Sequence, residues 1–96
     1  MYVRLVRFAL ADGKHDVAKK LADDLGPQIS HQPGFRSLVF YTDDSDGESG
    51  IIVLWDSAEA ADAAAAVMSP QLQKHLAGNV KRPPEKDLFK VIASTP

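Results

Sequence analysis

The sequence predicts an α+β fold in which four strands and two helical regions follow the order β-α-β-β-α-β. The first observation is an unbroken apolar run, Ile51–Trp55, which is rich in β-branched residues and leads directly into an alanine-rich segment. The second is an amphipathic four-residue spacing after Lys14. The third is an acidic turn over 43–48 between two strand-like segments, which predicts a hairpin. Together they indicate the ferredoxin-like plan, an antiparallel sheet with both helices on one face.

The composition is that of an ordinary globular domain. The 96 residues are 45% hydrophobic and 25% charged, and we expect one domain over residues 1–96. The net charge of −2 and the lack of a basic run argue against nucleic acid and membranes as partners. The sequence has no cysteine, so disulfides and thiolate chemistry are excluded. No segment resembles a signal peptide or a membrane span, and we expect a cytoplasmic protein.

The first strand and the first helix are predicted from different periodicities. Tyr2–Leu10 presents two alternating faces, and each face is mostly apolar with one arginine. Asp12 is the expected N-cap of a helix that starts near Lys14. Gly26-Pro27 is expected to end or kink this helix, because proline has no backbone donor. The apolar positions of the helix are Val17, Leu21, Leu25 and Ile29.

The acidic turn joins a second strand, Phe35–Thr42, to the Ile51 strand. Its clustered carboxylates invite comparison with a calcium-binding loop. If Gly47 were the sixth position of such a loop, Thr42 would be the first and Val53 the twelfth, where carboxylates are required. The turn is therefore interpreted as a solvated hairpin tip.

The second helical region begins immediately after Trp55. Asp56 is the expected N-cap, and Glu59 three residues later completes a pattern typical of a capping box. Six alanines among residues 60–66 favour a helix that continues to about Met68.

Ser69 and Pro70 then have the residue types of a new N-cap and first helical position. We therefore expect a second short helix over 71–77, ended by Gly78. The fourth strand is predicted over Asp87–Ala93, after an extended connection that contains two prolines.

Both faces of the third strand are apolar. Ile51, Val53 and Trp55 point to one side, and Ile52 and Leu54 point to the other. The helices can cover one face of the sheet only, and a bare apolar face would promote aggregation. A second copy of the sheet is the simplest cover, so we expect a homodimer with the two sheets face to face.

Three segments resemble the antibiotic biosynthesis monooxygenase-like family. They are a first strand that ends before Asp12-Gly13-Lys14, the segment Gln32–Leu38, and Ile52–Ala60 followed by Met68–Leu72. The resemblance covers nearly the whole chain in the right order. It implies a dimeric α+β barrel with a substrate cavity between sheet and helices. Because the family includes cofactor-free oxygenases and haem-degrading enzymes, the resemblance is more specific for the fold than for the reaction.

The active branches of that family match this sequence at few positions. Haem-degrading members use an Asn, a Trp and a His, and the corresponding residues here are Val6, Ala64 and His75. Members that oxidise polycyclic phenols share Trp55, but their Asn, Tyr and Arg fall at Ile51, Ala61 and His75. The resemblance therefore implies no haem site, and we expect no cofactor.

The resemblance implies that one face of the first strand points towards the cavity. That face carries Tyr2, Arg4, Val6 and Phe8, which we expect to bind the substrate. Arg4 would anchor an anionic ligand or, alternatively, form a salt bridge across the dimer, since a buried charge needs a partner. Trp55 would stack on a flat aromatic substrate or serve as a rim residue of the core.

His75 is the candidate catalytic residue, because a histidine is the ordinary general base near neutral pH and the family places its cavity mouth nearby. The alternative is an exposed helix histidine. The three histidines share no ligand spacing, so we expect no metal site.

Two functions stay open at this stage. The first is a cofactor-independent monooxygenase-like enzyme acting on a small aromatic or polyketide-like substrate, with His75 transferring a proton. The second is a non-catalytic small-ligand-binding or structural homodimer, which the apolar residues at the aligned catalytic positions favour. A cavity of about 300 Å³ or more beside Trp55, Arg4 or His75 would support the enzyme, and a solidly packed core would support the second function.

Overall fold

A computed structural model describes residues 1–95, and its elements follow the predicted order. Pro96, the last residue of the expected domain, lies outside the described part. The predicted α+β, ferredoxin-like arrangement is confirmed. The elements are β1 (Tyr2–Ala9), α1 (Asp16–Ser30), β2 (Phe35–Thr42), β3 (Glu48–Trp55), α2 (Ala58–Leu76) and β4 (Glu85–Lys90).

The four strands form one antiparallel sheet in the order β2-β3-β1-β4. Arg4 on β1 lies opposite Val53 on β3. Val6 on β1 lies opposite Ile51 on one side and Lys86 on the other. Because directly opposed residues project from the same face, all five side chains belong to one face of the sheet.

The core fills the space between this face and the two helices. The buried residues of the sheet are Val6, Phe8, Ile51, Val53 and Trp55. Each helix contributes one buried stripe at the three- and four-residue spacing of an amphipathic helix. The stripes are Leu21, Leu25 and Ile29 on α1, and Ala61, Ala64, Met68, Leu72 and Leu76 on α2.

Of the two outcomes predicted at Gly26-Pro27, an end or a kink, the helix does not end there, because α1 continues for a further turn to Ser30. The buried stripe extends past the proline to Ile29, so burial favours the last turn. Because Pro27 has no N–H, the carbonyl of Asp23 lacks its helical hydrogen-bond partner. Both residues are exposed, so water can replace the missing hydrogen bond. The helix also starts later than predicted, with His15 rather than Asp12 at the N-cap.

The start of α2 also differs from the prediction. Ser57, not Asp56, is the N-cap, and its hydroxyl oxygen accepts a hydrogen bond of 3.1 Å from the Ala60 N–H. Asp56 instead pairs with Arg36. Both residues are good capping types, so the sequence alone does not choose between them.

The two helices predicted after β3 are a single helix that runs through Ser69-Pro70 to Leu76. The buried stripe continues without a break through Met68 and Leu72, and Pro70 lies on the exposed side. Gly78 follows the helix with a φ of 74°, which agrees with its predicted role as a stop signal.

The predicted hairpin between β2 and β3 is confirmed, with the Asp43 N–H donating to the Glu48 carbonyl at 2.7 Å. The fourth strand is shifted towards the N-terminus of its prediction. It covers Glu85–Lys90, so Lys86 is a strand residue, whereas Val91, Ile92 and Ala93 are not. The predicted strand started after Lys86, because the prolines before it interrupt the pattern of apolar residues.

Both helices pack on the same face of the sheet, and the opposite face carries exposed apolar side chains. We call this opposite side the open face. Ile52 at its centre is 37% exposed, Val39 opposite it on β2 is 53% exposed, and Phe89 on β4 is 52% exposed. No helix within residues 1–95 combines the length and the apolarity that a bilayer crossing requires.

Candidate functional site

A small cavity lies between the helix-covered face of the sheet and the two helices, and it is partly open to solvent. Its volume is about 80 Å³. Three alanines of α2 line it, Ala61, Ala64 and Ala65. Because alanine side chains end at Cβ, they leave room over the sheet that larger residues would fill. The alanine-rich sequence of α2 is therefore the local cause of the cavity.

The cavity is smaller than the roughly 300 Å³ at the lower end of ordinary ligand pockets. At about 80 Å³ it has room for one small group. A polycyclic substrate would need the side chains at its rim to move. The core is therefore not solidly packed, but its cavity is smaller than the roughly 300 Å³ that we expect of an enzyme.

Trp55 forms a rigid wall of this cavity. It is the last residue of β3 and is 3% exposed. Its ring makes an edge-to-face contact with Phe35 on β2, with ring centroids 6.1 Å apart and an interplanar angle of 82°. Such a contact fixes the ring without using its cavity side. Trp55 therefore presents a preformed apolar surface to anything that enters.

Arg4 brings a positive charge to the cavity from β1. Its side chain is 19% exposed, and its Nη2 lies 2.9 Å from Oδ1 of Asp62 on α2. The predicted alternative was a salt bridge across the dimer, whereas the ion pair in this structure joins Arg4 to Asp62 of the same chain. Arg4 Nε is buried and has no hydrogen-bond partner among residues 1–95. A buried donor without a partner costs about 1–3 kcal/mol, so this atom is poised to bind an acceptor.

Lys86 is a second cation at the cavity, which the sequence analysis missed. It projects from β4 to the same side as Val6. In the described part of the chain it takes part in no ion pair. Extending the strand alternation back by one residue from the predicted start at Asp87 would have found it. Ser69 also lines the cavity and was interpreted only as a helix cap.

The remaining predicted site residues lie elsewhere. His75 lines a separate cleft with Lys14, Lys20 and Lys74, and its Nε2 is 3.3 Å from Oδ2 of Asp24. The structure does not bring it to the cavity that Arg4 and Trp55 line. Its predicted catalytic role stays a prediction.

Phe8 is fully buried and lines a third cleft, beside α1. Tyr2 is half-buried on the cavity face of β1 but outside the cavity lining. Of the residues predicted to bind substrate, the structure therefore groups Arg4, Val6 and Trp55. Within residues 1–95, no group of three or more His, Asp or Glu side chains is placed to share a metal ion.

Comparisons with solved structures place this fold among monooxygenase structures. A Nitrosomonas europaea protein provisionally described as an antibiotic biosynthesis monooxygenase matches with a TM-score of 0.84 at 15% identity, over 97% of this chain and 100% of that one. SnoaB, a cofactor-independent oxygenase from Streptomyces nogalater, matches with a TM-score of 0.79 at 20% identity, over 99% and 96%.

The monooxygenase ActVA-Orf6 of Streptomyces coelicolor, in complex with nanaomycin D, matches with a TM-score of 0.75 at 20% identity, over 99% of this chain and 91% of that one. No family model and no curated protein sequence matches. At these identities the comparisons show a shared fold. The fold of the single chain that the resemblance of the three sequence segments implies is therefore confirmed.

Proposed function

We propose that the chain acts on a small aromatic substrate in the Arg4–Trp55 cavity as a cofactor-independent monooxygenase-like enzyme. The observation that carries the proposal is the lining of the cavity. An apolar pocket walled by Trp55 contains two cations, Arg4 and Lys86, and no carboxylate. Such a pocket favours a flat ligand that carries negative charge.

This charge arrangement suits a hydroxylated aromatic substrate. A nearby cation lowers the pKa of a phenol, and the phenolate of an electron-rich hydroxyarene is the electron donor to dioxygen. In the overall reaction, a hydroxyarene with a free para C–H and O₂ would give the para-quinone and H₂O, since the O–H and the C–H carbons each become C=O and the second oxygen atom leaves as water. Arg4 and Lys86 would hold the substrate anion, and the apolar walls would keep bulk water away from it. The similarity to a cofactor-independent oxygenase fold supports this reaction class.

We also propose that the protein is a homodimer that buries the open face. Val39, Ile52 and Phe89 form an apolar surface on a sheet that both helices leave uncovered. Covering such a surface with a second copy removes apolar area from water at about 25 cal/mol per Å².

A second candidate function is non-catalytic binding of a small ligand by the same dimer. Two observations favour it. The cavity lining includes no imidazole or carboxylate that could act as a general base, and the volume is about 80 Å³. A protein of this kind would bind the same ligands without turning them over.

Oxygen uptake with single-ring hydroxyarenes tests the proposal. We expect uptake above the rate of uncatalysed oxidation, with a large loss in Arg4→Gln. Arg36→Gln is the matched control, because Arg36 is an exposed arginine paired with Asp56. A loss of oxygen uptake in both variants, or unchanged oxygen uptake in Arg4→Gln, would contradict the proposed site.

The His75→Ala variant tests the sequence-based prediction for the proton-transfer residue in the same assay. Oxygen uptake that vanishes in this variant would support that role. Because His75 lies outside the cavity, we expect the His75→Ala variant to retain oxygen uptake. Ligand binding without any oxygen uptake in the unmodified protein would favour the non-catalytic candidate.

A further inference from the structure

We propose that the ligand carries a carboxylate, that Arg4 binds it through two hydrogen bonds, and that Asp62 holds the place of this carboxylate in the empty protein. The inference rests on the proposed function in one respect, namely that the Arg4–Trp55 cavity is the ligand site.

Arg4 has hydrogen-bond donors that its ion pair with Asp62 does not use. The guanidinium group presents Nε–H and one Nη2–H side by side, in a spacing that matches the two oxygens of a carboxylate. Asp62 uses Nη2 alone, through a single oxygen at 2.9 Å. The adjacent Nε is buried and has no partner among the described residues. The Nε–H of Arg4 is therefore available to take part, together with Nη2, in a two-bond carboxylate contact.

Asp62 is poorly placed to keep this position. Its side chain is 69% exposed, so water competes for its oxygens. Exposed ion pairs of this kind contribute little to stability. A ligand carboxylate entering from the cavity would reach both Nε and Nη2, and it would replace one exposed contact by two shielded ones.

Lys86 adds to the preference for an anion. It lines the same cavity and belongs to no ion pair within residues 1–95. With Asp62 displaced outwards, Arg4 and Lys86 would face the ligand without an acidic neighbour in the lining. The wall of Trp55 and alanines accepts an apolar ring. The chemistry that fits is a single ring bearing one carboxylate.

Titration with a matched pair of ligands tests the inference. 4-Hydroxybenzoate and 4-hydroxybenzyl alcohol have the same ring and differ in the carboxylate. Calorimetry measures affinity, and the fluorescence of Trp55, the single tryptophan of the chain, reports whether the ligand enters the cavity. We expect the carboxylate to bind at least about tenfold more tightly than the alcohol, as two charge-assisted hydrogen bonds would require.

Variants of α2 separate the role of Asp62 from a general charge effect. Asp62→Asn removes the competitor and should tighten carboxylate binding about three- to fivefold, while leaving the alcohol unaffected. Glu59→Gln changes the net charge equally at an exposed position one turn earlier and should have a much smaller effect. Arg4→Lys keeps the charge but loses the two-donor edge, and it should abolish most of the preference for the carboxylate.

The outcomes distinguish this inference from the proposed function. If neither ligand changes Trp55 fluorescence, the cavity is not the ligand site and both proposals fail. If both ligands bind the cavity with equal affinity, or if Asp62→Asn and Glu59→Gln have the same effect, the carboxylate inference alone is overturned.

Discussion

Arg4 shows at the residue scale how a candidate binding group can cost stability. Its Nε is buried without a partner, and its ion pair with the exposed Asp62 contributes little. An apolar side chain of similar length would avoid the desolvation cost of the guanidinium group. Binding sites commonly carry such a cost, because groups that await a ligand are unsatisfied in its absence.

We therefore expect Arg4→Met to be neutral or to raise the free energy of unfolding by about 1 kcal/mol, while it abolishes ligand binding. Urea unfolding measures the stability, and Arg36→Met at an exposed site is the control. A loss of more than about 2 kcal/mol in Arg4→Met would show that the arginine is a structural residue.

Gly34 gives a second prediction at this scale. Its φ is 84°, and a Cβ added to it would lie 2.6 Å from Cβ of Ala60 on α2. Gly34→Ala should therefore lower the free energy of unfolding by about 2–3 kcal/mol, through strain and overlap together. Gly13→Ala isolates the strain, because Gly13 has a φ of 79° and no atom within 4 Å of the added Cβ. If thermal unfolding shows equal losses of stability in Gly34→Ala and Gly13→Ala, the contact between this turn and α2 is refuted.

Some of these residue-scale features could be predicted from the sequence and others could not. Alternation along the first strand placed Arg4 and Val6 on one face, and the family resemblance implied that this face points towards the cavity. The partner of Arg4 was not predictable, because Asp62 is 58 residues away in sequence and the contact depends on how α2 lies over the sheet. Lys86 was missed because the predicted start of the fourth strand, Asp87, is two residues later than the observed start, Glu85.

At the element scale, the start of α2 tests the assignment of the cap. Ser57→Ala removes the hydrogen bond to the Ala60 N–H and should lower the free energy of unfolding by about 1 kcal/mol. Asp56→Ala should cost less, because its partner Arg36 is exposed. Chemical denaturation of both variants checks the order, and a larger loss for Asp56→Ala would restore the N-cap that the sequence predicted.

Both helices pass through a proline that the sequence analysis treated as a break or kink. Local propensity favours an interruption, but the buried stripes of α1 and α2 continue beyond Pro27 and Pro70. Burial of one whole helix face outweighs the loss of one hydrogen bond on the exposed side. The spacing of Met68, Leu72 and Leu76 was the sequence signal for a single helix, and the residue types Ser69-Pro70 obscured it.

The whole molecule has two apolar surfaces on its sheet, and each has a different role in this account. The face under the helices forms the core and the cavity, and the open face is the proposed dimer interface. Sequence alternation predicted that both faces are apolar, because each strand carries apolar residues on both sides. The volume of the cavity was not predictable, since it depends on the distance between α2 and the sheet.

A charge at the centre of the open face should separate the proposed dimer. We expect Ile52→Glu to be monomeric in analytical ultracentrifugation, because burying an unpaired carboxylate at an interface is unfavourable. Val67→Glu is the control, since Val67 is 51% exposed on α2 and lies outside the open face. A monomeric unmodified protein, or an unchanged dimer in Ile52→Glu, would contradict the proposed interface.

Both proposals for Arg4 require the Arg4–Trp55 cavity to be the ligand site, and NMR can test this directly. The single tryptophan gives one indole N–H resonance, which reports on the wall of the cavity. Titration with 4-hydroxybenzoate and 4-hydroxybenzyl alcohol should shift this resonance and the amides of Ala61 and Ala64 saturably, with His75 unaffected. Shifts confined to His75 and the cleft around it, or no shifts with either ligand, would contradict the assignment of the site.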